Sequence, residues 1–407
     1  MRVVVWGINY APEVTGIAPH NVALCEFLQQ HGHDVEMVTT FAYYPAWQKR
    51  PEDRFKFFRT DRINDVRVDR CWHFVPARVS AWKRIVHEAT FVLTSTIRVL
   101  SLKRPDVYIV VSPPLLLGTA CWFVQGLKRA PFVFHVQDLQ PDAAVGLGML
   151  KTGPFTRALY CLEAFAYKHA TRVSGISEEI LDAFRHKGVP ESKLILFPNT
   201  IILSADSDLP KRGIFRTRYN FSPNEFLAIY AGNLGVKQGL EILMAAAELL
   251  RAEDNIRIIM AGDGAARESL EAKLRDRNLG NISMLPLQFG SDYKELLVDA
   301  DVSLITQQSG SGNAFFPSKL LVTLAHSSPV VTVADEGSAL ARVVAEGQFG
   351  KNIVPGRPDQ LAKTFQELAE NQQLLRRWGE KGRAYVQRFE QRGVLEKFVE
   401  QLKSLRL

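Results

Sequence analysis

Cysteine is scarce in this chain. Cys25, Cys71, Cys121 and Cys161 are the only four in 407 residues, with no Cys-x-x-Cys pair and no histidine-rich partner spacing. That excludes a disulfide frame and a structural zinc site, and the four read as reduced core thiols of a cytosolic protein. His31 and His33 flank Gly32 and read as surface-turn residues, not metal ligands. No apolar run reaches bilayer-spanning length, although Phe91 to Leu102 and Pro113 to Val124 are apolar for a surface. Met1 to Trp6 enters an apolar run directly, without the charged region and cleavage site of a secretory leader, so no leader is expected. A complete Gly-x-Gly-x-x-Gly is missing as well. Gly262-Asp263-Gly264 is a fragment of it, but Arg267 stands where the closing glycine belongs, which weakens a dinucleotide site.

What is present is globular and divided. Hydrophobic content of 46% and charged content of 23% leave little room for long disorder. The length suggests two domains of similar size. The formal charge of +7 is unevenly spread: between Lys49 and Arg104 there are fourteen cations against six anions. Trp47, Phe55, Phe57, Phe58, Trp72, Phe74, Trp82 and Phe91 are interleaved with them. Such a segment suits an anionic lipid surface or nucleic acid, and equally a solvated arginine-rich face.

Apolar β-branched runs alternate with helical patterns from the start. Strands are expected at Arg2–Ile8, Asp34–Thr40, Val107–Val111, Phe132–Val136 and Lys193–Phe197, with helices at Ala18–Gln30, Ala81–Leu102 and Leu115–Arg129. Another helix runs from Ser177 to Gly188. The polar stretch from Pro198 to about Arg212 separates this half from a second with the same rhythm. Strands there are expected at Phe226–Ala231, Ile256–Ala261, Ile282–Leu285, Val302–Ile305 and Val330–Val333, and helices from Pro358 onward. Strands buried on both faces and separated by helices imply parallel sheets, hence an α/β chain of two doubly wound domains with a cleft between them. The expected divisions are 1–205, 206–385, and a terminal helix at 386–407 that returns to the first domain.

The stretch Asn313 to Thr332 organises the chemistry. Pro317 and Ser318 are helix-opening residues, and Lys319 follows at once. Open amides, a helix dipole and an ammonium group suit an anion, although a well-capped helix with a solvated lysine has the same sequence. Two further strand-end loops would emerge on the same edge: Gly232 to Gly239 with Lys237, and Gly262 to Gly264 with Asp263. Two lysines and a helix start could then converge on a diphosphate. In the first half, Gly16 closes the loop after the first strand, and His135 and Asp138 stand at the end of another, where open α/β sheets bind ligands.

Gly7 to Gly16, His31-Gly32-His33-Asp34-Val35, Ala231-Gly232-Asn233 with Lys237-Gln238-Gly239, Ala261-Gly262-Asp263-Gly264 and Pro317-Ser318-Lys319-Leu320 together resemble the retaining glycosyltransferases of family 4, which have the GT-B fold. The likeness extends over essentially the whole chain. Asn9 to Gly16, Tyr43 to Gln48 and His135-Val136-Gln137-Asp138 are similar to the colanic-acid-type fucosyltransferase subgroup. The resemblance implies transfer of a sugar from a UDP- or GDP-sugar to a hydroxyl acceptor, with the anomeric configuration kept and no metal or other cofactor. It implies that Lys237 and Lys319 hold the diphosphate, and that Gly16, Gly232, Asn233, Gly262, Asp263, Asn313, Ser318 and Leu320 contribute to the donor site. His135 and Asp138 would face the reacting sugar, although His135 also reads as a strand-end structural residue and Asp138 as a cap before Pro141. The expected partners are a lipid-diphosphate-linked saccharide and the cytoplasmic membrane surface, with no nucleic acid.

One departure stands out. The family's paired glutamates fall on Ala314 and Val322 here, so both carboxylates are missing. This leaves donor identity open. It also keeps two alternatives: a nucleotide-sugar epimerase of the same fold, and a non-catalytic nucleotide-sugar or nucleic-acid binding protein.

Overall fold

The computed structural model describes the chain except residues 79, 147–149, 151–152, 206–207, 311–318 and 406–407. It forms two compact units, Met1–Thr200 with Gln391–Leu407, and Ile201–Glu390.

The first unit is built on an eight-stranded sheet. Its strands are β1 (Arg2–Trp6), β2 (Asp34–Thr40), β3 (Phe58–Ile63), β4 (Val66–Cys71), β5 (Val107–Ser112), β6 (Phe132–Val136), β7 (Arg172–Gly175) and β8 (Leu194–Leu196), in the order β3-β4-β2-β1-β5-β6-β7-β8. All neighbours are parallel except β3 and β4. β5 and β6 are buried at every position, as a strand covered by helices on both faces must be. The C-terminal helix Gln391–Lys403 belongs to this core: Val394, Leu395 and Phe398 pack with Leu24, Leu28 and Ile195, and Phe398 stacks on Phe197 at 3.8 Å between centroids.

The segment read as basic and aromatic contains a β-hairpin. Asn64 and Asp65 have φ of +47° and +65° and form a two-residue turn between β3 and β4, a conformation these two residue types tolerate. Many of its cations are internally paired. Arg59 meets Asp53 and Asp61, Arg67 meets Glu36 and Asp69, and Arg98 meets Asp69. Arg70, fully buried, donates to Asp61 and to the carbonyls of Thr40 and Ala11. The exposed residues include the loop before β3, with Arg50, Arg54, Phe55, Lys56 and Phe57, and the start of the Ala81–Ser101 helix, with Trp82, Arg84 and Ile85, besides Arg62, Arg67, Arg78, Lys103 and Arg104. Cys25, Cys71 and Cys121 are buried, but Cys161 is exposed on the Pro154–His169 helix.

The second unit holds a six-stranded parallel sheet: β9 (Phe226–Asn233), β10 (Ile256–Asp263), β11 (Ile282–Leu285), β12 (Val302–Thr306), β13 (Val330–Val333) and β14 (Gly350–Ile353). The order β11-β10-β9-β12-β13-β14 reverses between β9 and β12. Loops leaving the carboxyl ends of two such strands diverge to opposite faces, and the crevice they leave is where open α/β sheets take ligands.

Candidate functional site

In the second unit, the loops after β9, β10 and β12 are tied together at that reversal. The β9 and β10 loops nest backbone to backbone: a Cβ at Gly262 would stand 1.9 Å from the carbonyl oxygen of Gly232, and one at Gly264 would stand 2.6 Å from Asn233 Oδ1. Only glycine fits there. The Leu234 amide donates to the Asp263 carbonyl at 2.8 Å, and the Gln308 amide donates to the Lys237 carbonyl at 2.8 Å. Gly232 has φ of +133°, a backbone state that side chains disfavour.

Lys319 reaches this turn from the start of the Lys319–Ala325 helix. Its Nζ lies 4.0 Å from the centroid of the Tyr230 ring and 3.1 Å from the position a Gly232 Cβ would take. Desolvation, and then the charge of Lys237, push the Lys319 ammonium down to about 7. Lys237 itself is exposed on the Val236–Gln238 turn. The two cations of the expected diphosphate site are thus close enough to repel each other. A dianion between them would relieve that repulsion.

Asn233 and Asp263 are exposed at the ends of their strands, and Asp263 Oδ1 accepts the Gly264 amide at 2.8 Å. The Leu320 side chain is fully buried beside Ile305 and Leu324, so its amide is what it can offer a ligand. Val322, at one missing-glutamate position, packs its side chain against the buried cluster that includes Ile229, Ala231 and Leu296. Asn313, Ser318 and Ala314 lie outside the described residues.

Two features of this edge escape a reading of motifs. Gln307, directly after β12, is 3% exposed, and among the described residues neither its Oε1 nor its Nε2 has a hydrogen-bond partner, nor has the buried Thr306 Oγ1. Buried polar atoms of this kind cost stability unless something satisfies them. Asp335, after β13, accepts from Ser309 Oγ at 2.8 Å and from the Gly310 amide at 2.7 Å, which ties a fourth strand-end loop to the β12 loop. A Gln-Gln pair directly after a buried strand was the available signal for Gln307.

In the first unit, the Gly16 loop is held by buried polar groups. Glu13 is 6% exposed; its Oε1 accepts the amides of Tyr43 and Tyr44, both at 2.8 Å, and its Oε2 accepts from Asn9 Nδ2 at 2.8 Å. Asn21 donates to the Asn9 carbonyl at 2.8 Å. Gly16 has φ of +64°, and the Tyr44 ring lies 3.7 Å from where its Cβ would be.

His135 is buried, with both ring nitrogens engaged. Gln137 Nε2 can only donate, so His135 Nε2 accepts from it at 2.9 Å, and Nδ1–H donates to Ser174 Oγ at 2.8 Å. Burial pushes its pKa down to about 3. His135 therefore stays neutral, and its hydrogen bond to Ser174 links β6 to β7. Asp138, two residues beyond β6, is half-buried. Among the described residues no three His, Cys, Asp or Glu side chains gather as a metal-binding group.

Comparison with known proteins agrees with this architecture. Residues 15–200 match the glycosyl transferase 4-like domain, and residues 211–385 match glycosyl transferases group 1. The chain is 32% identical to WcaI of Escherichia coli K12, named as a colanic acid biosynthesis glycosyl transferase, across 84% of this chain and 86% of that one. It is 25% identical to the Pseudomonas aeruginosa glycosyltransferase WbjE across 66% and 67%. Among solved structures, sucrose-phosphate synthase of Thermosynechococcus elongatus superposes with a TM-score of 0.76 at 16% identity, covering 99% and 98% of the two chains. Anabaena HepE in complex with UDP gives 0.71 at 16% identity, covering 99% and 100%. The chain is a glycosyltransferase of the family 4, group 1 type, with the GT-B fold.

Proposed function

We propose that this enzyme transfers a sugar from a UDP- or GDP-sugar to a hydroxyl of a lipid-diphosphate-linked or polysaccharide-precursor acceptor, with retention of configuration and without a metal, in exopolysaccharide or O-antigen synthesis. The observation that carries the reading is the pair Lys237 and Lys319 at the Gly232 turn, where a diphosphate would be neutralised as the glycosidic bond breaks. Fixed cations at a developing charge need no reorganisation during reaction, which is why they are effective there. Lys319 and Lys237 would carry that charge, and Gly232, Asn233, Gly262 and Asp263 would let the donor approach the backbone. In the first unit, the candidates are Gly16 for donor binding and Asp138 and His135 for catalysis.

The named roles of WcaI in colanic acid biosynthesis and of HepE as a UDP-binding protein support the polysaccharide and nucleotide-sugar parts of the proposal. The exposed Arg50, Arg54, Phe55, Lys56 and Phe57, and the exposed Trp82, support work at the inner face of the cell membrane, because cations with aromatic side chains favour an acidic interface. No helix among the described residues is long and apolar enough to cross a membrane. The test is to offer the purified protein UDP- and GDP-sugars with a lipid-diphosphate-linked acceptor. Transfer is expected from one donor, and it should vanish in Lys237→Ala and Lys319→Ala. Turnover of donor without any acceptor would point to an epimerase instead.

A further inference from the structure

On the edge of the first sheet where β5, β6 and β7 begin, positive charge collects without carboxylate partners. Arg104 donates to the Arg129 carbonyl at 2.7 Å, Lys128 to the Leu102 carbonyl, and Arg172 to the Thr171 carbonyl at 3.1 Å. Lys193 donates to the carbonyls of Lys168 and Ala170 at 2.6 and 2.9 Å. Among the described residues these four cations hydrogen-bond to backbone oxygens alone. Desolvation and the neighbouring Arg172 both hold the Lys193 ammonium below its ordinary pKa. The acid on this edge, Asp106, takes the Arg2 amide.

Beside these cations lies a groove of about 760 Å³, lined by Trp122, Phe123, Leu127, Arg129, Arg172 and Leu405 among others. Phe123 is 52% exposed and Leu127 63%. Their helix, Leu116–Lys128, contains no acidic residue. It packs against the Ala81–Ser101 helix, which exposes Leu93 and Ile97 as well. An exposed apolar band of this kind marks an interaction surface. Its cationic rim decides which: a second copy would bring like charges together, whereas acidic headgroups would neutralise them.

We propose that this groove binds an acidic phospholipid, with the phosphate on Arg172 and Arg129 and the acyl chain along Trp122, Phe123 and Leu127, and so seats the first unit on an anionic bilayer. The proposal extends the membrane part of the functional reading above, but it rests on a different set of residues from the Arg50–Phe57 loop. Apolar insertion and headgroup attraction act together at such a site, because one chain or a few charges alone give only weak, reversible attachment.

The experiment is co-sedimentation of the full chain with phosphatidylcholine vesicles, with and without phosphatidylglycerol. Binding is expected only when phosphatidylglycerol is present, and to weaken with salt. Phe123→Asp combined with Leu127→Asp should reduce it about tenfold or more, and Arg172→Ala combined with Arg129→Ala should do likewise, at roughly fivefold per cation. Thermal shift with UDP should be unchanged in both double variants, showing that the fold and the other unit are intact. Wild-type vesicle affinity in both would overturn the proposal. So would loss of binding only on changing Phe55 and Phe57 to Asp, a result that preserves the membrane reading while removing this site. A concentration-dependent dimer abolished by Phe123→Asp would also overturn it, in favour of a second copy.

Discussion

Lys319 Nζ sits over the Tyr230 ring and within 3.1 Å of the space that a side chain at Gly232 would need. The glycine at the end of β9 and the lysine after β12 are therefore one device, although 87 residues separate them. Gly232→Ala would add a Cβ where φ is +133° and push the ammonium from its seat. We expect a loss of about 1–3 kcal/mol in stability from the backbone strain. A weaker response to UDP in thermal shift should accompany it. Unchanged UDP affinity in a folded Gly232→Ala protein would separate the two residues functionally.

The pH dependence follows from the same seat. Lys319 is pushed down to about 7 in the folded protein, against an ordinary value near 10.4. The unfolded chain then binds more protons between those values, so the stability of the unliganded protein should rise with pH across roughly 7 to 10.4. Lys319→Met should flatten that rise. A bound diphosphate reverses the preference, because it favours the charged ammonium. Affinity for UDP-glucose, whose diphosphate diester does not titrate there, should fall as pH rises through about 7, and calorimetry at several pH values reads it directly.

Much of this arrangement is legible in the chain because burial on both faces leaves an unbroken apolar run. Val107–Ser112 and Phe132–Val136 carry that signature, and both are buried throughout. The β3–β4 hairpin does not carry it. Phe58 to Ile63 alternates exposed and half-buried positions at the sheet's edge, with charges on both faces, so it reads as a basic segment. The Asn64-Asp65 turn was its one local signal. Lys237 and Lys319 could be paired from the rule that parallel strand ends share an edge. Glu13 could not, since its partners are backbone amides of a loop thirty residues away. The confinement of His135 was equally invisible, because Ser174 comes from a neighbouring strand.

Glu13 makes a prediction independent of the donor site. Its carboxylate is the acceptor for two backbone amides and one side-chain amide, with the bonds from Tyr43 and Asn9 buried and that from Tyr44 partly so. Glu13→Ala leaves those donors unsatisfied and should cost about 2–3 kcal/mol in urea unfolding. Glu13→Gln keeps one carbonyl oxygen for Tyr43 and Tyr44 and should cost less. A neutral Glu13→Ala would mean that water reaches the Gly16 loop and that the bridge does not order it.

Gln307 offers the sharpest separation between holding the fold and serving a ligand. Both ends of its amide are buried, and without a partner among the described residues, at the switch between β9 and β12. A buried amide without such a partner is a net cost, because it has given up water and gained nothing. Gln307→Met keeps the length of the side chain and removes the polar atoms. The thermal midpoint without ligand should stay the same or rise, while affinity for the nucleotide sugar should fall about tenfold, the worth of one good buried hydrogen bond. Stability and binding then move in opposite directions, which a packing role cannot produce. If both fall together, Gln307 is a core residue whose partners form within the protein, and recognition at this edge must be sought among Thr306, Asn233 and Asp263.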